Sequence, residues 1–299
     1  VGETVYGIGV PVRHANLSVL VIHSTARDES DFLTLDEGLT AGSVAVTEEA
    51  SAQVNQLCIE NRSERPLYVQ VGDRLKGGQQ DRIVGQSFVV PAKSGRQPIR
   101  SFCVEPHRWH AQGGDMAFAA AITSAAAPEN VRAAALQVNQ GAVWEHVAEE
   151  KKRACDTLAA PNATSTLNET LDSEEVQKAA RPYQDALGSA LQGENDAVGV
   201  AFALDGKVVE VDVYPGTVLL RKLYPRLLAS VAFQAASSKA PAAGAVAAQD
   251  VKRFIEDGAA SSTRQEKILG NDCDVIDYDG KIEARTSCGK EHFMSVMKK

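Results

Sequence analysis

Apolar and polar positions alternate differently in the two parts of this 299-residue chain. The run from Asn16 to His23 is nearly continuous apolar sequence and predicts an early buried strand. Thr34 and Glu37 stand at capping-box spacing and Gly42 supplies a stop, so a short helix is expected over Leu35 to Ala41. Apolar runs at Val44–Thr47, Gln56–Glu60, Leu67–Val71, Ile83–Val90 and Pro98–Cys103 then read as strands divided by polar turns such as 61–66. This spacing predicts a mostly antiparallel β-sheet or sandwich for the N-terminal part.

From Pro128 the period changes to that of a helix, through Val131, Ala135, Val138 and Ala142 toward Lys152. Residues 162–168 form a polar connector, and Asp172 with Glu175 opens a further helix that Pro182 is expected to kink. Val198 to Leu204, Asp205-Gly206 and Lys207 to Val213 carry the pattern of a hairpin with a type I′ turn. Leu219, Leu220, Leu223, Leu227 and Val231 then fall on one side of a helix, with a bend expected at Pro225. Ala-rich residues 235–249 read as a linker or weak helix, Val251 to Asp257 as a short helix, and Asp279-Gly280 as a second hairpin turn. The fold class is therefore α+β, a β-rich part over 1–120 followed by a mixed helix-hairpin half over 121–299. The two parts are free to pack as one continuous unit.

Composition narrows the function classes. With 44% apolar and 23% charged residues the chain is of globular type, and a net charge of −8 argues against a nucleic-acid-binding face. Its basic clusters, Lys151-Lys152-Arg153 and Lys298-Lys299, are short. No window of eighteen apolar residues is present, so no membrane span is expected. The chain begins at Val1, which implies removal of something upstream; an exported and a cytoplasmic location both stay open. Five cysteines without a C-x-x-C pair argue against a zinc knuckle, and Cys273 with Cys288 is the best-placed disulfide if the protein is exported.

The densest chemistry lies in Val71–Arg82, where Gly72, Gly77 and Gly78 accompany Asp73, Arg74, Lys76, Gln79, Gln80, Asp81 and Arg82. A second dense segment, Cys103 to His110, holds Glu105, His107, Arg108, Trp109 and His110. The loop 91–97 suits a hairpin and is too short for a parallel crossover. Antiparallel pairing of the flanking strands would set Gln79–Arg82 beside Val104–His110. Glycine-rich backbone with Arg74, Lys76 and Arg82 suits a small anionic ligand, although neither a P-loop nor a dinucleotide fingerprint is present. The expected ligand-binding set is Asp73, Lys76, Gly77, Gly78, Gln79, Gln80, Arg82, Arg108 and Trp109. Glu105 and Asp81 are the candidate acid and base. Glu105, His107 and His110 are metal-capable, but an ion pair of Glu105 with Arg82 or Arg108 is the simpler reading, and no metal or cofactor is assigned. Cys103 reads as a buried thiol before a nucleophile, and Trp109 and Trp144 as core residues. No G-x-S-x-G elbow occurs.

These segments, with Phe32–Leu39, Gln140–Trp144 and the stretch from Val198 to Phe233, resemble the ARG- and rhodanese-phosphatase-superfamily-associated protein domain family, a bacterial family of unknown function. The resemblance covers most of the chain; Tyr214-Pro215-Gly216 departs from the family's usual Phe-Gly-Ser. It implies an association with nucleotide or ADP-ribose metabolism and carries over no reaction. The expected function is binding of a small anionic, nucleotide- or sugar-like ligand where 72–82 and 104–110 converge; the alternatives are a hydrolase on an ADP-ribose or nucleotide-sugar-like substrate, and a structural or interaction domain without a ligand. The oligomeric state stays open.

Overall fold

A computed structural model describes residues 6–28, 30–48, 55–106, 117–120, 125–161, 166–238 and 244–299. In chain order it forms β1 (Gly7–Ile8), β2 (Val12–His14), β3 (Leu17–His23), β4 (Leu33–Thr34), α1 (Leu35–Thr40), β5 (Val44–Thr47), β6 (Gln56–Asn61) and β7 (Leu67–Val69). Next come β8 (Arg74–Gly77), β9 (Arg82–Val84), β10 (Phe88–Val90), β11 (Gln97–Cys103), β12 (Phe118–Ala120), α2 (Glu129–Leu136), α3 (Gln140–Leu158), α4 (Leu167–Asp172) and α5 (Glu174–Leu187). The chain finishes with β13 (Ala197–Leu204), β14 (Lys207–Val213), α6 (Thr217–Ser237), α7 (Ala248–Glu256), β15 (Ala260–Ile268), β16 (Asn271–Tyr278), β17 (Lys281–Cys288) and β18 (Glu291–Lys298).

The architecture is mixed α+β, and its largest sheet draws on both ends of the sequence. Its strand order is β1-β3-β13-β14-β18-β17-β16-β15, with β2 also paired to β3. The all-apolar face of β3 explains its central place: Leu17, Val19 and Val21 pack under α6 together with Leu219, Leu223, Leu227 and Val231. Leu20 and Ile22, on the opposite face, join Val211, Val213 and Val251 of α7. This is the side alternation of a strand buried on both faces. The C-terminal β15–β18 meander extends the same sheet, so the second half is richer in strands than a helix-hairpin pattern suggests.

Two smaller sheets, β12-β8-β9-β11-β6-β5 and β10-β7-β4, enclose a separate apolar cluster built on Leu57, Leu75, Val84 and Phe88. Here the expected single strand over Ile83–Val90 is in fact two. β9 pairs with β11, whereas β10 pairs with β7 in the other sheet. The chain breaks at Gly85, where a Cβ would lie 2.7 Å from the Phe102 ring. α1 carries the full capping box, with the Glu37 N–H donating to Thr34 Oγ1 and the Thr34 N–H to Glu37 Oε2. The Asp205-Gly206 turn has positive φ at both residues, as a type I′ hairpin requires.

The helices differ from the sequence pattern in four places. The run expected from Pro128 toward Lys152 divides at Val138, which is left-handed and exposed, and Asn139 caps the second helix by accepting from the Ala142 N–H. Consequently Trp144 is 38% exposed rather than core. Pro182 and Pro225 both lie inside continuous helices. α6 runs to Ser237, three residues into the segment read as a linker. All five cysteines are free thiols; Cys273 faces Thr286 across β16–β17, so Cys288 is out of register with it.

Candidate functional site

The two dense segments meet as the topology requires. The β9–β11 register sets Cys103 opposite Arg82, and the Val104 N–H donates to the Asp81 carbonyl at 3.1 Å. One residue further, the Asp81 N–H donates to Glu105 Oε2 at 3.1 Å, and Gln80 Nε2 to the Glu105 carbonyl at 2.9 Å. Arg82 Nη1 donates to Gln80 Oε1 at 3.0 Å, and its Nη2 lies 3.8 Å from Glu48 Oε1. The Asp81 carboxylate accepts from the Gly77 N–H and from the Thr166 hydroxyl at 2.6 Å, which ties the hairpin to the start of α4. Gln80, Asp81, Arg82 and Glu105 are thus brought together, and all four are buried. Lys76, Gly77 and Gln79 are half-buried at the edge of the cluster. His107, Arg108, Trp109 and His110 lie outside the described residues. Cys103 is fully buried, and burial pushes its thiol up, away from nucleophilic use.

The first residues of the same stretch face elsewhere. Asp73 Oδ1 forms an ion pair with Arg226 Nη2 of α6 at 2.8 Å, and Oδ2 accepts from the Gln70 N–H. Burial outweighs the Arg226 charge and pushes the Asp73 carboxyl up to about 6. Arg74 donates to the Ala125 carbonyl at 2.7 Å, to Asn168 Oδ1 at 3.1 Å and to Asp172 Oδ1 at 3.2 Å. Behind Gly72, fully buried Arg132 of α2 donates to the Val71 carbonyl and pairs with Glu210 and Asp212 of β14. Asp73 is therefore part of the stretch but not of the Gln80–Glu105 cluster.

The three glycines of the stretch make room for protein atoms. A Cβ on Gly72 would lie 2.4 Å from Arg132 Cγ, one on Gly77 2.8 Å from the Ala117 carbonyl oxygen, and one on Gly78 2.4 Å from the Phe118 ring.

The model of the ARG and Rhodanese-Phosphatase-superfamily-associated Protein domain (ARPP-1) matches residues 6–288. The chain belongs to that family. No curated protein and no solved structure matches it. No helix among the described residues of this ARPP-1 chain is long and apolar enough to cross a membrane.

Sequence reasoning missed a cleft of about 930 Å³ on another part of the ARPP-1 fold. α2 and α3 form one wall, and the β13–β14 turn, the end of α6 and the end of β18 form the rest. Both short basic clusters of the sequence contribute, through Lys152 and Arg153 on one side and Lys298 on the other. At its base Gln234 donates to Glu129, whose carboxyl is pushed up by burial. Beside it fully buried Glu150 accepts from Asn130 at 2.8 Å and Arg153 at 3.0 Å, and burial raises its carboxyl to about 7. No local pattern marks this cleft, because its residues come from six separate elements. Elsewhere, His23, Glu194 and Asp196 bring one metal-capable atom each within 4.8 Å at the surface, and His23 Nδ1 is already 2.8 Å from Asp196.

Proposed function

We propose that the protein works as a structural and interaction domain in which the 72–82 stretch and its partner segment 103–105 are an intramolecular clasp. The observation that carries this reading is the destination of the motif's charges. Asp73 reaches α6, Arg74 reaches α4, Asp81 reaches Thr166, and Arg82 lies between Gln80 and Glu48. Each link joins the β-rich part to the helices or closes the β-rich part on itself. The glycines support the same role, since the space a side chain would fill is taken by Arg132, Ala117 and Phe118.

The ligand reading asks the same loop to present its N–H groups and cations to solvent. The hydrolase reading asks Asp81 and Glu105 to lie within hydrogen-bond reach of a substrate, yet both are buried with their carboxylates already accepting from the protein, Asp81 from Gly77 and Thr166 and Glu105 from the Asp81 N–H. A clasp needs neither. It makes the motif residues indispensable for folding, because removing one member of a buried charged pair strands the other.

Thermal-shift measurements on the wild type and on Arg82→Ala, Glu105→Ala and Lys76→Ala separate the readings. The clasp predicts a large fall in midpoint for Arg82→Ala and Glu105→Ala and almost none for half-exposed Lys76→Ala. If Arg82→Ala and Glu105→Ala melt like the wild type while losing a shift induced by ADP-ribose or a nucleotide, the motif is a ligand site and the clasp reading fails.

A further inference from the structure

The clasp leaves the cleft between α2, α3 and the β13–β14 turn without a role. We propose that this cleft binds a small phosphorylated sugar, with Lys207 and Lys298 holding the phosphate and Gln234 and Asp205 accepting from the hydroxyls. This inference rests on groups that the clasp does not use.

Most charges around the cleft are already matched inside the protein. Lys152 pairs with Asp156, Arg153 with Glu150, and Glu149 with His146. Lys207 and Lys298 make no ion pair among the described residues. Lys207 of β14 and Lys298 of β18 both line the cleft, and both side chains are exposed. Two cations without ion pairs among the described residues thus line one cleft, which suits an anionic group such as a phosphate.

Acceptors in the same cleft await donors. Gln234 lines the cleft yet is 2% exposed; its Nε2 is spent on Glu129, and its Oε1 has no hydrogen-bond partner. Asp205 takes the Ser238 hydroxyl on Oδ2 at 3.2 Å, and its Oδ1 is likewise without a partner. A buried acceptor left unmatched is costly, and a sugar hydroxyl is a neutral donor of the right size. Leu204 and Val209 add an apolar surface for the face of the ring. Two cations, two unmatched acceptors and a short apolar wall in one cleft describe a polyhydroxylated monophosphate.

Isothermal titration of the full chain tests this with ribose 5-phosphate, ribose, inorganic phosphate and gluconate as probes. Ribose 5-phosphate is expected to bind at least ten times more tightly than each of the others. The double substitution Lys207→Ala with Lys298→Ala is expected to weaken it by tenfold or more without moving the melting temperature, since both side chains are on the surface. Gln234→Leu should weaken ribose 5-phosphate but leave inorganic phosphate unchanged. The inference is overturned if ribose 5-phosphate gives no saturable heat at millimolar concentration, or if the double lysine variant binds it like the wild type. Equal affinity for gluconate overturns the assignment of the anion as phosphate.

Discussion

The Gly72→Ala substitution probes the clasp at the point where backbone and buried charge meet. Gly72 has φ +83°, and its new methyl group would lie 2.4 Å from Cγ and 2.8 Å from Cδ of Arg132. The left-handed backbone alone costs an alanine about 1–2 kcal/mol. Arg132 must then move, and its guanidinium is fully buried between Glu210 and Asp212. Breaking a buried pair costs about 3–5 kcal/mol, because a charge is left without a partner. The two effects together approach about 4–7 kcal/mol, comparable with the whole stability of many domains. Gly42→Ala is the matched control: φ there is +67°, and nothing lies within 4 Å of the added methyl. Urea unfolding followed by circular dichroism should show Gly72→Ala losing at least about 2 kcal/mol more than Gly42→Ala. A loss within about 0.5 kcal/mol of the control would refute the claim that Arg132 is locked across Gly72.

Other consequences follow from burial and charge. Arg82→Ala should cost about 3–5 kcal/mol by leaving Glu48 without its cation, and Lys76→Ala within about 0.5 kcal/mol, both read from urea midpoints. The folded-state carboxyl of Glu150, raised to about 7 by burial, holds its proton more tightly than the unfolded chain does. Its contribution to stability is therefore greatest below the ordinary carboxylate range and lost as the pH rises through about 7; Glu150→Gln should flatten that decline in a pH series of unfolding curves. Native thiol labelling should modify Cys155 and Cys288 first and spare buried Cys58, Cys103 and Cys273, with five thiols titrating after denaturation without reductant. Detecting only three would contradict the free-thiol assignment.

Short-range chemistry was readable from the chain, and long-range partners were not. The Thr34–Glu37 box and the Asp205-Gly206 turn depend on residues within one turn of each other, so their side chains declare them directly. The meeting of Gln79–Arg82 with Val104 followed from antiparallel pairing of the flanking runs, even though the run after Gly85 leaves for another sheet. Why it leaves depends on the Phe102 ring, which no periodicity shows. Glycine carried a further ambiguity: the sequence shows that space is needed at 72, 77 and 78 but not whether ligand or protein occupies it. Likewise Asp73 and Arg226 are ordinary charges in sequence, and only the seating of α6 against the β7–β8 connection makes them a pair. Trp144 was read as core from its apolar neighbours, but the break at Val138 reset the helix face and turned it outward.

The most direct test of the clasp is a double-mutant cycle on Asp73 and Arg226, using Asp73→Asn and Arg226→Met at pH 8, where the Asp73 carboxyl is ionised. The clasp predicts a favourable coupling of about 1–3 kcal/mol between the two side chains. Additive losses, with coupling below about 0.3 kcal/mol, would contradict it.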